Sequence, residues 1–154
     1  VSGSLAELAD SVPAELGTSD EVLVTQEMVD VHAATTGDAQ WIHNDPTRAT
    51  RESPFGGPIV QGFLLLSLLT QLSSDLSFPD RGRVAMMVNY GFDRVRFVRA
   101  VPVGARVRAH GTLADVRLRD DGSAVLAVDL ELHDDTEATG PAMVARWLFL
   151  AVPA

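Results

Sequence analysis

The sequence predicts an α+β fold in which one long apolar helix lies across a curved antiparallel sheet. Three observations carry that expectation: a leucine-rich run over residues 62–76, a succession of strand-like segments after it, and a concentration of turn-forming residues before it. The 154 residues suit one compact domain, with 1–20 expected as an N-terminal arm and 21–154 as the domain itself. Hydrophobic residues make up 46% and charged residues 21%, the usage of a chain that buries a core rather than of a disordered one.

Residues 1–20 are rich in Ser, Ala and acidic side chains with weak periodicity, and are read as lying on the domain or partly frayed. Residues 21–24 suit a short strand. Thr25 is placed to cap a helix over 26–36 that carries Met28, Val29, His32 and Ala33 on one face, and Gly37 ends it. The stretch 37–62 is rich in Gly and Pro but holds a two-turn helix over 46–52, capped by Asn44 or Asp45 with Pro46 in its first position.

The run from Gly62 is apolar nearly all round, so its helix should be enclosed on most sides. Strands expected over 84–90, 95–101, 105–117, 124–133 and 142–152 supply the enclosure. Alternation is visible in Val107, Ala109, Gly111 and Leu113 against Arg106, Arg108, His110 and Thr112. Residues 120–123, Asp-Asp-Gly-Ser, make a hairpin turn.

Composition narrows the chemistry. Without cysteine there are no disulfides, thiolate zinc sites or cysteine nucleophile, and a reducing cytoplasm is compatible. The net charge is -9 and all twelve cations are arginine, so the average field repels nucleic acid and anionic membranes. Glu7, Asp10 and Glu15 interrupt the N-terminal stretch, and no signal peptide is expected. The longest greasy stretch, 59–72, contains Gln61, Ser67, Thr70 and Gln71 and falls short of the ~20 residues a bilayer needs. No metal site is expected: no HxH or HxxxH pair occurs, His32 reads as packing, and His110 and His133 fall on strands without an acidic partner at a telling spacing. The acidic run Asp134, Asp135 and Glu137 reads as a solvated loop.

The most specific stretch is Thr36-Gly37-Asp38-Ala39-Gln40-Trp41-Ile42-His43-Asn44-Asp45-Pro46. On a continuous helix, Asp38 and His43 would point about 140° apart, at ~100° per residue. If Gly37 breaks the helix and Gln40 and Trp41 form a bend, both side chains can address one water. Spacing alone leaves two readings open: an ordinary turn followed by a packed or surface histidine, or a catalytic pair.

This stretch, followed by Ser53-Pro54-Phe55-Gly56-Gly57-Pro58-Ile59-Val60-Gln61-Gly62 and the apolar helix, resembles the MaoC-like dehydratase family. That family's pattern is Gly-Asp, Asn-Pro, an aliphatic residue and His, then a glycine-rich stretch that enters an apolar helix at a His-Gly or Gln-Gly step. The resemblance spans about residues 22–152. Gln40-Trp41 stands where the family has Asn-Pro, which resembles the narrower nodulation-protein-N-like branch.

The resemblance implies a hot-dog fold, with the central helix wrapped by the sheet, and pairing into a homodimer. It also implies an (R)-specific enoyl-CoA hydratase that acts on an acyl-CoA or acyl-carrier-protein thioester with no cofactor or metal. By carry-over, Asp38 is the general base, His43 holds the same water, and the Gly62 amide meets the thioester oxygen. The alternative for Gly62 is close packing. Gln40, Trp41, Phe55, Ile59, Gln61 and Phe63 are expected to bind substrate; ordinary core is the equal alternative for Trp41, Phe55, Ile59 and Phe63, and Gln61, beside Gly62, has loop support as its alternative. Arg94, Arg96 and Arg99, near Arg81 and Arg83, form a basic concentration that reads as an exposed strand face before it reads as a phosphate site. A hot-dog thioesterase and a non-catalytic subunit or acyl-thioester binder are the rival readings.

Overall fold

The computed structural model describes residues 5–78, 84–136 and 139–154. The chain order is α1 (Leu5–Ala9), β1 (Ala14–Thr18), β2 (Val22–Leu23), α2 (Gln26–Thr36), α3 (Trp41–Asn44), α4 (Pro46–Glu52) and α5 (Gly62–Leu72). A 3-10 turn (Ser73–Asp75) follows, then β3 (Val84–Phe97), β4 (Arg106–Leu118), β5 (Ala124–Asp134) and β6 (Met143–Pro153).

Alternation along β4 turns Val107, Ala109, Leu113 and Val116 inward and leaves Arg106 and Arg108 outside, as a half-buried strand requires. The strands assemble in the order β1-β4-β5-β6-β3, with β2 also on β4, and every pairing is antiparallel. Leucines spaced by one turn, Leu64/Leu65, Leu68/Leu69 and Leu72, set the buried face of α5. They share one core with Val107, Leu113, Leu126, Leu132 and Trp147 of the sheet. This is the expected α+β hot-dog arrangement.

Four expectations change. Residues 5–18 are built into the domain rather than laid on it: β1 pairs with β4, and Leu5, Leu8 and Leu16 are buried. Their sparse apolar pattern acquires its meaning only through long-range pairing. The two strands expected over 84–90 and 95–101 are one, β3, which crosses the intervening Gly91-Phe92-Asp93-Arg94 by register shifts rather than by a turn. The central helix is shorter than expected, ending at Leu72. It is also covered on one side only, since Phe63, Ser67, Thr70 and Gln71 are exposed. The reason is the sheet order: β3 ends it with Met86, Val88 and Tyr90 exposed, and no further strand among the described residues continues it.

Candidate active site

Local sequence sets the path of the loop that carries Asp38 and His43. Thr25 caps α2, its hydroxyl accepting from the Met28 amide at 3.3 Å, and Gly37 terminates the helix in the left-handed conformation at φ 80°, donating its N–H to the Ala33 carbonyl. Gln40 is extended and begins α3, a single turn where only a bend was expected. Asp45 then caps α4, accepting from the Arg48 amide at 2.9 Å, with Pro46 in the first turn as expected.

That extra turn carries His43 inward, where it is 6% exposed. Its Nδ1 lies 2.6 Å from the Ile59 carbonyl oxygen. A carbonyl only accepts, so Nδ1 carries the proton, and in the neutral ring Nε2 keeps its lone pair. One hydrogen bond thus sets both the ring's orientation and its tautomer.

His43 lines a cavity of about 300 Å³ together with Phe55, Ile59, Gly62, Leu65, Phe97 and Arg99. Gly62 is the first residue of α5, where a backbone N–H has no acceptor within the helix. A side chain here would crowd Phe97: a Cβ on Gly62 would lie 3.0–3.1 Å from atoms of its ring, which would have to give way slightly. The glycine therefore allows close packing against Phe97 and is itself part of the cavity wall. Phe97 in turn meets Phe63 edge to face at 6.3 Å.

The remaining expected site residues divide. Phe55 and Ile59 share the cavity with His43 and Gly62, whereas Asp38 is not among its lining residues. Asp38 is half-buried on the loop after Gly37; its carboxylate faces the Gln40 side-chain amide at 3.5 Å, and its carbonyl accepts from Gln61 Nε2 at 3.4 Å. Gln61, expected to bind substrate, is 0% exposed and bonds instead to backbone, donating also to the Val29 carbonyl at 3.1 Å. Trp41 carries the Arg48 guanidinium 4.3 Å over its ring, outside the cavity, and Phe63 is 66% exposed.

Sequence reasoning missed Phe97 and passed over Arg99. The available signal was the period-2 series Val95, Phe97, Arg99, Val101, which was divided from the first half of its own strand. Arg99 is no exposed-face arginine. It makes a two-pronged pair with Asp134 at 2.6 and 2.8 Å, and the Asp134 side chain has no exposed surface. Burial pushes the Asp134 carboxyl up, but hydrogen bonds from Arg99 and Thr136 outweigh it and hold the group below the usual carboxylate range. The expected solvated acidic loop is thus a buried anchor at its first residue.

Two of the other histidines also have acidic partners that strand pairing or alternation supplies: His110 with Glu15 at 3.0 Å across β1 and β4, and His133 with Glu131 at 3.2 Å. Arg94 and Arg96 are exposed, while Arg81, Arg83 and Glu137 lie outside the described residues. Among the described residues no group of three or more His, Asp or Glu is placed to hold a metal, and no helix is long and apolar enough to cross a membrane.

Residues 8–134 match the model of the MaoC-like domain. The chain belongs to the MaoC-like dehydratase family. It is 40% identical over 148 residues to nodulation protein N of Rhizobium meliloti, covering 96% of this chain and 91% of that one. It is 42% identical over 143 residues to 3-hydroxyacyl-thioester dehydratase Z of Mycobacterium tuberculosis, covering 93% and 92%. The solved (R)-hydratase from A. caviae superposes with a TM-score of 0.67 at 23% identity, over 90% of this chain and 98% of that one. The solved MaoC-like dehydratase from Rhodospirillum rubrum gives a TM-score of 0.75 at 15% identity, over 94% of each chain. This member of the MaoC-like family is accordingly an enzyme of the hydratase and dehydratase class.

Proposed function

We propose that this MaoC-like enzyme is an (R)-specific enoyl-CoA hydratase, adding water reversibly across a trans-2-enoyl thioester to give the (R)-3-hydroxyacyl thioester. The observation that supports this reading is the shared cavity: His43, its tautomer fixed by Ile59, and Gly62, the first residue of α5, line one apolar space. The name of the mycobacterial relative, a 3-hydroxyacyl-thioester dehydratase, supports the same direction.

The reaction needs a base for water, a proton for the α carbon, and a partner for the charge that develops on the thioester oxygen. In our reading Asp38 and the free Nε2 of His43 hold one water between them, and Asp38 takes its proton as the oxygen attacks the β carbon. The proton returns to the α carbon. The Gly62 N–H, at the positive end of α5, receives the enolate oxygen. Phe55, Ile59 and Phe97 would flank the acyl chain and exclude bulk water. The addition is redox-neutral and calls for no cofactor or metal. The thioester carrier is CoA or acyl carrier protein, and a reducing cytoplasm suits a chain without cysteine.

We further propose a homodimer in which two copies of β3 meet edge to edge. The exposed Met86, Val88, Tyr90 and Phe97 on that edge strand, beside exposed Phe63, form the apolar surface such pairing would cover.

Purified protein mixed with crotonyl-CoA is expected to remove the conjugated enoyl-thioester absorbance and yield (R)-3-hydroxybutyryl-CoA, while eluting at twice the chain mass. Release of free CoA without hydration would replace the reading with a thioesterase. Tight thioester binding without turnover, across short and long chains, would replace it with a non-catalytic binder.

A further inference from the structure

The Asp38–His43 loop is held at both ends by glutamine side chains, neither of which the chemistry itself uses. At one end, Gln26 Nε2, from the first turn of α2, donates to the His43 carbonyl at 2.8 Å and to Asp30 Oδ1 at 2.9 Å. At the other, Gln61 Nε2 donates to the Asp38 carbonyl at 3.4 Å and to the Val29 carbonyl of α2 at 3.1 Å. Gln61 is fully buried, and its Oε1 has no hydrogen-bond partner. A buried amide with an unmet acceptor is a destabilising choice compared with an apolar side chain of similar size. What an apolar replacement could not do is hold two carbonyls.

Gln61 is also the residue before α5, so its backbone and the Gly62 amide move together. We propose that Gln61 is a positioning residue that sets the distance between the Asp38 loop and the Gly62 amide, with Gln26 fixing the His43 end of the same loop. The proposal rests on the hydratase reading for its chemical meaning. One side chain would then register the group that activates water against the group that receives the thioester charge. A displacement of about 1 Å between such groups lowers turnover about a hundredfold while leaving substrate affinity in place.

Gln61→Glu is the informative variant, because it keeps the size of the side chain and makes the donor titratable. Both facing atoms are carbonyl oxygens, so the protonated acid can donate to one of them and the carboxylate to neither. Burial and these acceptors raise the pKa of a glutamate placed there. Turnover of crotonyl-CoA by Gln61→Glu should therefore approach that of the unsubstituted enzyme near pH 5 and fall about tenfold or more as the pH rises to about 8. KM should stay within about twofold, and the unsubstituted enzyme should lack this descending limb. Gln61→Met should be slow at every pH.

If both Gln61 variants hold kcat within about twofold at all pH values, or raise KM while kcat holds, the positioning role is wrong and Gln61 is packing or substrate contact. Should they fail to fold, Gln26→Met, at a half-buried position, tests the other clamp: a severalfold loss of kcat at constant KM supports the proposal, and unchanged kinetics overturn it. If the unsubstituted enzyme does not hydrate crotonyl-CoA, the hydratase reading fails by itself. The clamp is then read by amide hydrogen exchange at residues 37–40, which accelerates in Gln61→Met if the proposal holds and stays constant if it does not.

Discussion

The segment from α2 to the first turn of α5 and the sheet behind it handle polar groups in opposite ways. In the segment, His43 and Gln61 are buried and Gln26 and Asn44 are half-buried; their side chains bond to backbone carbonyls or to Asp30. Gln26 Oε1, Asn44 Oδ1 and Gln61 Oε1 are left without a hydrogen-bond partner. In the sheet, Arg108 pairs with Glu21 at the surface, Asp134 at the end of β5 is the buried exception, and the interior is otherwise mainly hydrocarbon: Leu113, Leu126, Leu132, Ala151. The difference separates two jobs. Apolar burial in the sheet supplies stability, roughly 25 cal/mol per Å² of hydrocarbon removed from water, while under the proposed function the segment gives some stability up to hold chemistry in place.

The sharpest way to break that division is to injure the sheet alone. Leu132→Ala, at a 0% exposed position on β5, should lower unfolding stability by about 3 kcal/mol through lost burial and a residual cavity. Urea denaturation would measure it. Below its melting transition the variant should keep its turnover number; a large loss of kcat in the folded protein would mean that the two regions are not separable.

Arg99→Ala probes the place where the regions meet, since Arg99 lines the cavity and anchors the buried Asp134. Removing the cation leaves a buried carboxylate with only the Thr136 hydrogen bonds, and a loss of about 2 kcal/mol is expected at neutral pH, below the full range for buried pairs because Arg99 is itself 22% exposed. The pH dependence has a definite sign. Asp134 is held below its ordinary pKa in the folded protein, so its stabilisation is present above the usual carboxylate range and disappears as pH falls through the lowered value. The stability gap between the two proteins should therefore narrow on acidification. A gap that widens would contradict the pairing.

Much of this architecture was legible because local and long-range preferences agree. The turn-spaced leucines of α5, the alternation of β4, the Thr25 and Asp45 caps and the Gly37 stop all mean in the fold what they mean in isolation. Leu16 was opaque because a five-residue strand acquires its burial from β4, about a hundred residues away. β3 looked like two strands because Gly91-Phe92-Asp93-Arg94 carries turn-like composition, yet pairing with β6 continues through it with register shifts. At the candidate site, His43 and Gly62 were expected from a motif and line one cavity, whereas the bond from His43 to the Ile59 carbonyl and those from Gln61 to Val29 and Asp38 are meetings of side chain with distant backbone, which no local pattern encodes.

The most direct test of the account compares crotonyl-CoA hydration by the unsubstituted enzyme, Asp38→Asn and His43→Gln, with melting curves of all three. Turnover should fall by about 10²–10⁴-fold in each variant, the usual contribution of a positioned acid or base, while melting temperatures change little. Turnover retained in both folded variants would contradict the assignment of water activation to Asp38 and His43.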